Sequence, residues 1–157
     1  MTDEKKQEYT RRISQANSTE MVIVIYDIAI TYIDEALTGI EKGDDACLKK
    51  SVVNIRKSLN ELIGSLNYDY SPAGELLQLY IYCSRRLVAV QSRKDTQALT
   101  EIRSVLSRLR EAYAQIAPVN TTGPVMSNSE SVYAGLTYGR GTLNEDVVST
   151  PNRGFLA

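Results

Sequence analysis

Residues 21–33, Met-Val-Ile-Val-Ile-Tyr-Asp-Ile-Ala-Ile-Thr-Tyr-Ile, read as a helix that is apolar on nearly every side, with one carboxylate, Asp27, in its middle. A helix on the surface of a globular protein needs only one apolar stripe. This one carries more apolar surface than a single neighbour covers. It is either the central helix of a bundle or one wall of a groove that a partner fills. The stretch is too short and too interrupted to cross a bilayer, which takes about 20 mostly apolar residues.

The surrounding sequence supplies three more helices with short punctuation. The first, which holds the apolar stretch, starts after an N-cap at Ser18 with Glu20 in its first turn and stops at Gly43. Asp44 caps the second. Its apolar positions Leu48, Val52, Ile55, Leu59, Leu62 and Leu66 alternate steps of four and three, the pattern of a bundle seam. Ser71-Pro72 announces the third, as N-cap and first helical residue. That helix is rich in Leu and Tyr and, like the first, is apolar over more than one stripe. Asp95 caps the fourth, whose seam is Leu99, Ile102, Leu106, Leu109, Tyr113 and Ile116, and Pro118 ends it. Short connections favour antiparallel neighbours. The expected fold is therefore all-α, an antiparallel up-down four-helix bundle over residues 18–117, with helices of roughly 22–25 residues, or about 35 Å. Spare apolar surface on the first and third helices is expected to face partly outward and to bind something.

Two segments flank the bundle. Residues 1–17 form a polar N-terminal arm in which Tyr9 and Ile13, four apart, make a short amphipathic turn that folds back. Residues 118–157 are rich in Pro, Gly, Ser, Thr and Asn and show no period, so they are expected to be a tail that is disordered alone. Tyr133, Leu136, Tyr138, Leu143, Val147, Val148, Phe155 and Leu156 are spaced within it as in a linear motif.

Several function classes are set aside by what the chain lacks. It has no histidine, which removes the commonest general base and metal ligand, and no cofactor or metal is expected. Cys47 and Cys83 are too few for a disulfide framework and read as small buried thiols. Gly139-Arg140-Gly141 follows no strand and opens no helix, so it reads as a turn rather than a phosphate loop. A net charge of −1 and the two-residue step Arg85-Arg86 offer no footprint for nucleic acid. Neither a secretory signal nor a stable membrane segment is read, so the expected compartment is the cytoplasm. Asn17-Ser-Thr and Asn120-Thr-Thr match the glycosylation pattern but have no meaning without a secretory route. An enzyme is not expected.

Local patterns in order along the chain carry a resemblance. Tyr9 stands nine residues before Ser18, which begins Ser18-Thr19-Glu20-Met21; then come Ile25-Tyr26-Asp27-Ile28 and Ser65-Leu66-Asn67. Leu79-Tyr80-Ile81-Tyr82 is followed by Arg85-Arg86-Leu87, and Leu109-Arg110-Glu111-Ala112-Tyr113 closes the set. Over residues 9–117 the chain resembles the FliS family of flagellar export chaperones for flagellin. It departs from the family pattern at Ile28, Thr19 and Tyr113, where the family has glycine, proline and tryptophan.

The resemblance implies a helical bundle that wraps the C-terminal segment of flagellin in an apolar groove and prevents premature polymerisation. It also implies docking of the loaded chaperone at the cytoplasmic domain of the type III export gate. On the same ground the flagellin-binding residues are expected to be Tyr9, Ile13, Ile25, Tyr26, Asp27, Tyr80, Tyr82, Arg86 and Leu87. Each has a structural alternative: Tyr26 as a core aromatic, Asp27 as the partner of Arg86 in a partly buried ion pair. Tyr80 and Tyr82 point about 200° apart, so only one of them lies deep in the core. The N-terminal arm, and the tail in cis, are candidate covers for an empty groove. The chaperone is expected to be a monomer or weak dimer. A rival reading from another class is a helical oligomerisation or adaptor module with a different partner.

Overall fold

Five α-helices and one 3₁₀ turn account for most of residues 1–119, which with 123 and 124 are the residues described by a computed structural model. The helices are α1 (Asp3–Gln15), α2 (Ser18–Lys42), α3 (Asp45–Gly64), α4 (Ala73–Arg93) and α5 (Thr96–Ile116), and the turn is Ala117–Val119. There is no strand among the described residues. The motif residues expected from Tyr133 to Leu156 lie outside them, as does Gly139-Arg140-Gly141.

The expected arm is a full helix of 13 residues rather than a short turn. Thr2 caps it by accepting the Lys5 N–H, and Asp3 and Glu4 sit in the first turn, where the helix dipole favours them. An isolated helix this short is marginal in water. Tertiary burial supplies the rest, because Tyr9, Ile13 and Ala16 are buried in the main core. Sequence periodicity found only the Tyr9–Ile13 pair, and two apolar positions in a polar stretch do not set a helix length.

The cap of α2 is Asn17, one residue before the expected Ser18. Asn17 Oδ1 accepts the Glu20 N–H at 2.9 Å, and Glu20 Oε2 accepts the Asn17 N–H at 3.0 Å. This reciprocal pair is a capping box. Gly43 closes α2 in the left-handed region at φ 68°, and Asp44 then caps α3 through the Cys47 N–H. Gly39 is needed just before that corner. A Cβ there would stand 3.1 Å from the Leu48 amide nitrogen. The start of α4 also shifts by one: Ala73 is its first residue and Pro72 the cap, with no side-chain bond. Asp95 caps α5 as expected, accepting the Ala98 N–H at 3.0 Å.

α2 packs most extensively against α3 and α5, α4 lies against α3 and α5, and α1 covers a further side of α2. Side-chain pairs join these helices at several points. Asp27 meets Arg110 and Asp34 meets Arg103, while Asp45 meets Lys94 and Arg56 meets Gln91. In both sets residue numbers rise along one helix as they fall along the other. The α3 seam is buried from Leu48 to Leu62, and Leu66 is half-buried. On α5 the seam is buried through Leu106, partly buried at Leu109 and Tyr113, and exposed at Ile116. Of the two thiols, Cys83 is buried and Cys47 only half-buried.

Because Asn17 is buried and caps the helix on which the core is built, Asn17→Ala is expected to cost about 1–2 kcal/mol. Urea unfolding checks this: the midpoint falls while the slope with denaturant is unchanged.

Candidate functional site

Adjacent residues on a helix point about 100° apart, so Tyr26 and Asp27 serve different parts of the molecule. The Asp27 side chain reaches toward α1 and α5. Arg12 of α1 donates from Nη2 to Oδ2 at 2.7 Å, and Arg110 of α5 donates from Nε to Oδ1 at 2.8 Å. A second Arg110 bond, Nη2 to Oδ2 at 3.4 Å, gives a forked contact. One carboxylate thus joins three helices, and it pushes Arg110 above its ordinary pKa.

Tyr9 completes this centre. Its hydroxyl lies 2.8 Å from Thr31 Oγ1 and donates to the Asp27 carbonyl at 3.3 Å, while the Arg12 guanidinium sits 5.7 Å from its ring centre. Burial raises the Tyr9 phenol above its usual value. Ile13, one turn further along α1, is fully buried.

The ion pair considered between Asp27 and Arg86 is not formed. Asp27 is taken by Arg12 and Arg110, and Arg86 by Glu101 and Asp95. The reason is topological. α2 and α4 make their main contacts through α3 and α5, and the face of α2 that carries Asp27 looks toward α1 and α5.

Tyr26 points into the interior, where its hydroxyl shares a short hydrogen bond with that of Tyr80. Both tyrosines are fully buried, and the Tyr113 ring stands 5.7 Å from that of Tyr26. Tyr26 is therefore a core aromatic. Desolvation raises both phenols, Tyr80 to about 12, and raises the Cys83 thiol to about 12. Ile25 and Leu87 are also buried.

Of the nine expected residues only Tyr82 is exposed; Asp27 and Arg86 are half-buried and the other six are buried. Tyr82 donates to Glu101 Oε2 at 3.0 Å, and Arg86 Nε donates to the same oxygen at 2.7 Å. Together they hold the Glu101 carboxyl below its ordinary range. Other apolar side chains of α4 also stay exposed, on both of its flanks: Leu79 and Ile81 at 37 % and Val88 at 59 %, with Val53 of α3 at 47 %. The outward surplus expected on two helices is thus concentrated on α4, because α1 covers α2. Sequence reasoning missed Arg12, Thr31 and Glu101 altogether. It quoted Arg110 only within a motif, since a charge gives no sign of its partner before the helices are packed.

Among the described residues no cluster of three or more His, Cys, Asp or Glu is placed to hold a metal ion, and no helix is long and apolar enough to cross a membrane.

The interior tyrosines set an alkaline limit on stability. A phenol whose value is raised from 10 to about 12 binds its proton more tightly folded than unfolded. Its contribution is full below pH 10 and is lost as the pH rises through about 12. The urea midpoint is expected to hold level below pH 9 and fall above it, first through Cys83, raised from 9, and then more steeply above pH 10 through the tyrosines. Tyr80→Phe should make that fall shallower, and an equally steep fall would assign the loss to other groups.

Known proteins place this fold among relatives. The family described as "Flagellar protein FliS" matches residues 1–120. The flagellar secretion chaperone FliS of Salmonella typhimurium (strain LT2) is 29 % identical over 112 residues, covering 68 % of this chain and 81 % of that protein. Its counterpart in Bacillus subtilis (strain 168) is 24 % identical over 103 residues, covering 66 % of this chain and 77 % of that protein. The match takes in all five helices, the Asp27 centre and the exposed face of α4, and the chain belongs to the FliS family, a family of flagellar secretion chaperones and not of enzymes.

Proposed function

We propose that this flagellar export chaperone acts in the cytoplasm, binding the C-terminal segment of flagellin and delivering it to the cytoplasmic domain of the type III export gate. The single observation that carries the reading is the set of exposed apolar side chains on α4, Leu79, Ile81, Tyr82 and Val88, in a chain of this family whose most apolar helix, α2, is largely enclosed. In this reading residues 18–117 are an antiparallel up-down four-helix bundle, supported by the opposed order of the inter-helix pairs. Residues 1–17 are an accessory element and residues 118–157 a tail.

The mode is a helix laid on a groove and read by apolar anchors. Each anchor buried on binding contributes roughly 1.5–3 kcal/mol, so a handful offsets the several kcal/mol that ordering the client costs. Tyr82 and Arg86 meet the client directly. Tyr9, Ile13, Ile25, Tyr26, Asp27, Tyr80 and Leu87 hold the surface in shape or become accessible when α1 lifts. An oligomerisation module would use the same α4 face. Sedimentation separates the two readings, since the chaperone is a monomer or weak dimer without client and the module stays assembled on dilution.

Calorimetric titration with the C-terminal segment of flagellin from the same genome tests the proposal. One-to-one binding with a negative heat-capacity change is expected. Ile81→Ser combined with Val88→Ser should weaken it at least about tenfold, or 1.4 kcal/mol, with unfolding unchanged. Unaltered affinity in that variant counts against the α4 face.

A further inference from the structure

The two flanks of α4 differ in charge. Toward α5 the cation is matched within the fold, since Arg86 meets Glu101 and Asp95. Elsewhere too, the arginines that join helices end on carboxylates: Arg12 and Arg110 on Asp27, Arg103 on Asp34. Arg56 is different. It joins α3 to α4 by donating to a neutral amide, Gln91 Oε1, at 3.1 Å, so its charge has no carboxylate among the described residues. Glu61 of α3, five residues on, points about 140° away from it. Lys49 and Arg85 are exposed on the same flank, and neither forms a salt bridge among the described residues. Asp45 is already taken by Lys94 at 2.7 Å.

Apolar side chains lie among these cations. Residues three apart on a helix lie within about 60° of each other. Val53 stands three before Arg56 and Val88 three before Gln91, so both share this flank, and Ile81 is two turns from Val88 on the same side. They are 47 %, 59 % and 37 % exposed. Where α3 begins and α4 ends, the groove deepens into a hollow of about 200 Å³ lined by buried Leu48 and Val52 and by exposed Lys49 and Lys94.

We infer that the α3–α4 groove takes an amphipathic segment whose apolar face is edged by carboxylates. Ile81, Val53 and Val88 meet the apolar face, and Lys49, Arg56 and Arg85 meet the carboxylates. Charge complementarity selects such a segment over a basic one with the same apolar face. A furrow between two helices suits a peptide helix better than a flat lipid surface. The inference adds a charge class to the client of the proposed function, and rests on that reading only for which protein carries the segment.

Two synthetic helical peptides of about 18 residues, sharing one Leu stripe and edged by Glu in one and Lys in the other, test this on the full chain. The Glu peptide is expected to bind at least about tenfold more tightly in about 0.05 M salt, with a smaller margin in about 0.5 M salt. Lys49→Glu with Arg85→Glu should invert the preference. Arg11→Glu with Arg108→Glu, exposed on α1 and α5, changes net charge equally and should leave the preference in place. Equal binding of the two peptides overturns the proposal. So does an equal response to both pairs of substitutions, which would assign the effect to net charge. Binding to anionic phospholipid vesicles with no preference between the peptides also overturns it, in favour of a lipid surface. Neither peptide is flagellin, so failure here is distinct from failure of the flagellin titration.

Discussion

A helix that is apolar over most of its circumference has to be largely enclosed, and α2 organises the protein around that requirement. Met21, Ile23, Val24, Ile25, Ile28, Ala29, Tyr32, Ile33 and Ala36 are all buried, over more of the circumference than one neighbour reaches. At roughly 1.5–3 kcal/mol for each large aliphatic side chain, leaving one side of α2 wet costs more than any single polar contact in the molecule returns. α3 and α5 flank it, and α1, polar apart from a few positions, covers what they leave. The N-terminal segment is helical because α2 needs a cover.

The polar part of this arrangement selects among ways of enclosing α2. A carboxylate on an apolar helix is costly to desolvate unless it is paired and hydrogen-bonded. Asp27 meets that condition only where α1 and α5 bring Arg12 and Arg110 to it together. The tyrosine pair at the centre acts in the same sense: two buried hydroxyls satisfy each other, which ties α2 to α4 at one register. Apolar burial drives the packing, and these few polar groups fix which packing it is.

What remains unenclosed is correspondingly informative. α4 alone among the helices keeps four large apolar residues in water, beside a Tyr82–Glu101–Arg86 network that holds its polar edge in place. Exposed apolar side chains on a packed scaffold are what the proposed chaperone role would use, the client bringing the missing surface.

The helices α2 to α5, the caps at Asp44 and Asp95 and the α3 seam were legible in the chain, because periodicity and capping are local and repeat within a few residues. So was the resemblance carried by Tyr9, Tyr26-Asp27, Tyr80, Tyr82 and Arg86-Leu87. The partners were not. Whether Asp27 met Arg86 or Arg110 depended on which face of α2 turned toward which neighbour, and local pattern carries no such information. Tyr26 and Ile81 read alike as apolar positions on crowded helices, yet one is the centre of the core and the other faces water. By itself the sequence determined that α2 must be covered, since that follows from the transfer energy of its own side chains. Only the tertiary structure decided that α1 does the covering and that α4 is left open, because burial is a property of the helices placed together.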